Sequence, residues 1–229
     1  MKHLRTIAII AVIVLLFGLL IMGSSTRQSP KDQVWDEATT VGELDSPNYY
    51  IMYTDLMCPY CDVFSRAVME HWDEFTDYLA ENKILFEIRL TDALYEGSGS
   101  QYSRDAAAGA YCAAREDKFW DFYHAAIKSL WDDYHSKGVG DSKTSPAIKN
   151  MPEDYWLKIG HSVGLGEQFD QCVSGHEAVA DIKNNTSRAM QVAEGMPSFK
   201  FNQFSTAGFD NSWGWDYVKM YLDAGLKNK

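Results

Sequence analysis

The chain has 229 residues, is 46% hydrophobic and carries a formal net charge of −11. That length supports one sizeable core, or one domain with a large insertion. The acidic balance argues against nucleic acid and anionic lipid surfaces as partners, since both repel a negative protein.

In chain order, Lys2 and Arg5 precede an unbroken apolar run from Ile7 to Met22. A positive start, an apolar core and the small residues Gly23-Ser24-Ser25 describe an export signal. As a helix the run would rise about 25 Å, slightly less than a hydrocarbon core. Residues 1–23 are therefore read as a retained signal anchor or a cleaved signal peptide. In the anchored form residues 7–22 would cross the membrane, with Lys2 and Arg5 inside. Either form places the rest of the chain outside the cytoplasm. There the even set Cys58, Cys61, Cys112 and Cys172 favours disulfides.

Residues 24–44 read as a linker, opening on the polar "SSTRQSPKDQ". "NYYIMYT", Asn48 to Thr54, is aromatic and reads as a strand. A helix begins near Cys58, with Pro59 compatible with its first turn. Its apolar stripe runs Phe64, Val68, Trp72, Phe75 and Leu79. Extended backwards, the stripe passes through Cys61, so Cys61 should face the core. Cys58 should sit at the helix end, where the stripe meets solvent. "ILFEIRL", Ile84 to Leu90, is a second strand, and "YEGSGSQ" a flexible loop. From Ser103 to about Glu194 the pattern is mostly helical, interrupted by the long loop "SKGVGDSKTSPAIKNMP". After Met196-Pro197, "SFKFN" and "QFSTAGF" read as a hairpin turning near Asn202. Trp215, Val218 and Leu222 mark a final helix. Strand–helix–strand gives a parallel pair, to which the hairpin adds antiparallel strands.

The pair "CPYC" can hold a metal, staple a turn or pass electrons. A zinc site needs two further ligands at matching spacing. Cys112 and Cys172 form no second close pair, and the six histidines are scattered. No metal and no cofactor is expected. A two-residue staple would gain little entropy. Electron transfer is the favoured chemistry.

"DLMCPYC" opening a helix, a helical block, then "GMPSF" (Gly195 to Phe199) before a hairpin resembles the DsbA-like thiol–disulfide oxidoreductases of the thioredoxin superfamily. The resemblance covers roughly residues 45–227. It implies an α/β class: a thioredoxin fold with a large helical insertion between the βαβ half and the C-terminal ββα half. The halves would span 45–102 and 195–229, and the insertion 103–194. It also implies a cis peptide before Pro197, with Pro197 beside Cys58 and Cys61 and the Met196 backbone pairing with an extended substrate. Met196 departs from the small or β-branched residue usual there. Some relatives carry a second disulfide, so Cys112 and Cys172 are expected to be bonded; two separate buried thiols are the alternative.

On this reading Cys58 and Cys61 are the redox pair, tuned by Pro59 and Tyr60. Cys58 is the nucleophile, its thiolate favoured by the helix N-terminus. Asp55 and Glu87 are candidates for proton transfer with Cys61, against bland roles as a turn aspartate and a surface glutamate. The expected function is a monomeric oxidase that introduces disulfides into unfolded exported proteins with free thiols. A quinone-linked membrane partner would reoxidise it, by analogy with the family. The rivals are a disulfide isomerase or reductase, and a peptide-binding module with an inert cysteine pair.

Overall fold

The structure is a computed structural model that describes residues 34–98, 100–210 and 212–227. The predicted signal segment lies outside them. No described helix is long and apolar enough to cross a membrane.

Five strands form one sheet in the order β1-β3-β2-β4-β5. β2 (Asn48–Thr54) and β3 (Ile84–Leu90) are its centre and pair in parallel, with Tyr50 opposite Phe86 and Met52 opposite Ile88. Every residue of both strands is buried, so both faces of the sheet are covered. Alternation divides the side chains. Tyr50, Met52, Phe86 and Ile88 join Phe199 and Phe201 of β4 (Ser198–Phe201) in the main core. Tyr49, Ile51, Tyr53 and Leu85 line the other face. β4 runs antiparallel to β2, with Tyr53 opposite Ser198, and turns at Asn202 (φ 50°) into β5 (Phe204–Ala207).

The first face is covered by α1 (Pro59–Glu70), α2 (Trp72–Glu81) and the last helix, here α9 (Trp215–Lys227). The predicted stripe Phe64, Val68, Phe75, Leu79 is buried, but one helix becomes two. His71 leaves helical geometry (φ −121°, ψ 34°) and stacks on Trp215, 5.4 Å between ring centroids. A tertiary contact with a distant helix accompanies the break, and local periodicity does not report it. α9 approaches β4 closely at Gly225, where a Cβ would lie 2.3 Å from the Phe201 ring.

Between β3 and β4 lie α3 (Ala93–Ser98), α4 (Gln101–Ala114), α5 (Phe119–Asp133), α6 (Tyr155–Ser162), α7 (Glu167–Ser174) and α8 (Val179–Val192). α3 falls partly within the segment predicted as a flexible loop. Its first residues carry no glycine, and Leu94 is anchored through its N–H to Asp55. α8 packs on β2, β3 and β4, so the last helix of the predicted insertion covers the second face of the sheet. The predicted linker also contributes: Thr40 and Val41 form β1 and pair with Glu87 and Phe86. Two residues are too few for a strand pattern in sequence; the exposed edge of β3 supplies the partner. Overall this is the predicted thioredoxin fold with a helical insertion.

Candidate active site

The turn after β2 carries the motif. Cys58 is the N-cap of α1 in extended geometry (φ −85°, ψ 121°), and Pro59 follows where its missing N–H leaves no bond unmade. The Cys58 N–H donates to the Asp55 carbonyl at 2.9 Å, and the Asp62 N–H to the Cys58 carbonyl at 3.0 Å. Both thiols are free. Cys61 is 1% exposed and faces the core, as its place on the stripe predicts. Cys58 is only 5% exposed, more enclosed than a single helix implies. The loop after α5 also reaches the motif: Lys143 Nζ lies 5.7 Å from the Tyr60 ring.

The two thiols are driven apart in acidity. Cys58 is lowered, first by a hydrogen bond from the Cys61 thiol and also by the N–H groups of Cys61 and Tyr60 at the helix end. Its side chain makes no formal capping bond, so the N–H groups act on it as dipoles. Burial and the Asp55 charge oppose the effect. Cys61 is raised well above the ordinary thiol range, first by burial and then by its bond to and charge from Cys58. The Asp55 main chain and the Thr54 hydroxyl partly offset this.

Residues unforeseen in sequence complete the surroundings. Ser65 Oγ donates to the Cys61 carbonyl at 2.8 Å and lies 2.6 Å from the Tyr123 hydroxyl. The buried Thr54 hydroxyl makes no well-formed hydrogen bond, yet lies close enough to Cys61 and Tyr123 to influence both. Ser65 was findable, because it follows Cys61 by one helical turn. No local pattern in the sequence marks Tyr123, and only the docking of α5 on α1 brings it here.

The two candidate acids separate. Asp55 is fully buried. Its Oδ1 accepts from the Met57 N–H at 2.9 Å; its Oδ2 accepts from the Leu94 N–H at 2.9 Å and Ser103 Oγ at 2.5 Å. Burial pushes its pKa up to about 6. Glu87 is also buried, against the expectation of a surface residue, and it is turned away from the thiols. Opposite Ile51, it belongs to the second face of the sheet. There it accepts from Arg89 Nε at 2.9 Å, the Trp35 N–H at 2.8 Å and the Tyr49 hydroxyl. Its carboxylate is committed to a buried ion pair and does not serve Cys61.

The Met196–Pro197 peptide is cis, preceded by Gly195 at φ 111°. Because Ser198 pairs with Tyr53, Pro197 lies at the end of β2 that leads into the motif. The Met196 side chain packs toward the second face, and its Sδ lies 3.6 Å from Ser198 Oγ. Among the described residues, its main chain pairs with no other main-chain group. Cys112 of α4 and Cys172 of α7 are joined, with Cα atoms 5.8 Å apart.

A mixed sheet with a helix-capping CPYC turn and a cis-proline at the same end defines a thioredoxin-type protein. The family model described as Thioredoxin matches residues 36–224, and the chain belongs to that family. Among solved structures it resembles a thioredoxin-like oxidoreductase from Silicibacter pomeroyi DSS-3. That match has a TM-score of 0.59 and 22% identity, and covers 89% of this chain and 99% of that one. It also resembles a thiol–disulfide exchange protein, alpha-DsbA2, from Wolbachia pipientis (TM-score 0.57, 18% identity, 85% and 90% covered). BdbD from Bacillus subtilis is similar as well (TM-score 0.56, 16% identity, 82% and 92% covered). At these identities the likeness is one of fold. No curated protein sequence matches.

Proposed function

We propose that this protein is an exported thiol–disulfide oxidoreductase whose Cys58–Cys61 pair oxidises dithiols in other exported proteins. The observation that carries the reading is the opposite drive on the two thiols. A favoured Cys58 thiolate stabilises the reduced form, which makes the corresponding disulfide a stronger oxidant.

A substrate thiolate attacks Cys58 Sγ of the Cys58–Cys61 disulfide. The Cys58–Cys61 bond breaks, and Cys61 departs as a thiolate that takes up a proton. A second substrate thiolate attacks the substrate sulfur of the mixed disulfide. The substrate gains a disulfide, and two electrons remain on Cys58 and Cys61. A second protein must then remove them; by analogy with the family this is a quinone-linked membrane oxidase. The unpaired main chain of Met196, beside the cis-proline, suits an extended substrate strand. The Cys112–Cys172 bond is structural, since it ties α4 to α7 within the insertion.

Replacing Cys61 by Ala tests this. The reading predicts mixed disulfides through Cys58 when the variant meets reduced, unfolded exported proteins. Unchanged peptide binding with no trapped species would point instead to a binding module.

A further inference from the structure

Asp55 touches the site in two ways. Its main chain contacts both cysteines: its carbonyl accepts from the Cys58 N–H at 2.9 Å, and its main chain also meets the Cys61 sulfur. Its side chain reaches into the insertion, taking hydrogen bonds from Leu94 of α3 and Ser103 of α4. Among the described residues, only neutral donors hold this carboxylate. Arg104, next in sequence to Ser103, is engaged by Asp92 at 2.6 Å and Glu96 at 3.0 Å. The facing charged group is Asp92, which repels Asp55.

We propose that Asp55 is a positioning residue for the Cys58–Cys61 pair: it fixes the turn that carries both cysteines, and its charge holds the disulfide less oxidising than the helix end alone would make it. The inference rests on the redox reading above. The argument is a comparison of two states. In the disulfide, Cys58 carries no charge and Asp55 opposes nothing. In the reduced form a Cys58 thiolate forms one residue beyond Met57, whose N–H the buried Asp55 carboxylate holds at 2.9 Å, and the two anions repel. The penalty falls on the reduced form only, so electrons are accepted less readily. Burial of Asp55 keeps water from screening the repulsion.

The test uses the full chain equilibrated in glutathione buffers, with thiolate absorbance followed against pH. Asp55→Asn should ionise Cys58 at lower pH and shift the glutathione equilibrium about three- to tenfold toward the reduced pair, since tenfold corresponds to one pKa unit. Should Asp55→Asn fail to fold, Ser103→Ala keeps the carboxyl but removes one hydrogen bond to its charged form. It should move the equilibrium in the same direction by less. An unchanged equilibrium constant in a folded variant, with only a lower unfolding midpoint, would leave Asp55 a structural residue and overturn the inference. If the wild-type pair forms no disulfide at any glutathione ratio, the redox reading itself fails, and the inference with it.

Discussion

At the first turn of α1, two thiols three residues apart experience opposite fields. Cys58 gains hydrogen bonds to its charged form, while Cys61 loses water without an equivalent gain. In the reduced protein, Cys58 should therefore ionise below the ordinary thiol range. Its depressed folded value adds stability that is present above the unfolded value and lost as pH falls through the folded one. Asp55 has the opposite sign. Between 3.8 and about 6 the folded chain keeps a proton that the unfolded chain has released. Stability should fall as pH rises through that window, by about 3 kcal/mol. Denaturant unfolding at several pH values should show this fall in the wild type and lose it in Asp55→Asn. The cysteine pair was legible in sequence because a strand, a short turn and a helical stripe located it. Glu87 was not legible as an ion-pair residue. In a strand buried on both sides, hydrophobic alternation does not say which face a polar residue takes.

The helices illustrate where periodicity suffices and where it stops. The buried stripe of α1 and α2 was readable, but the break at His71 was not, because its partner Trp215 lies in α9. Likewise, Tyr123 meets Ser65 only because α5 docks on α1. Tyr123→Phe should cost about 1 kcal/mol, the usual net worth of one hydrogen bond. Gly225 is tighter. A methyl there would press on the buried Phe201 ring, which has little room to yield. Gly225→Ala should destabilise by about 1–3 kcal/mol, the range for overpacking. Urea unfolding would register it as a lower midpoint at unchanged slope.

For the whole molecule, the order of elements was enough to place the parallel pair, the hairpin and the insertion. The edge strand β1 and the position of α8 on the second sheet face were beyond it. Both depend on which surfaces remain uncovered after the sheet forms, and no local pattern encodes that. The Cys112–Cys172 bond closes a span of 60 residues. Replacing both cysteines by Ala should cost about 4 kcal/mol in the chain-entropy picture. On the proposed structural role of this bond, the Cys58–Cys61 equilibrium with glutathione should stay unchanged. The central claim is that Cys58 and Cys61 form an oxidising pair, and the glutathione equilibrium of the wild-type chain measures it directly. The account predicts a potential above about −200 mV, toward the value of about −120 mV known for a strongly oxidising member of this superfamily. A potential near about −270 mV, that of thioredoxin, would contradict it.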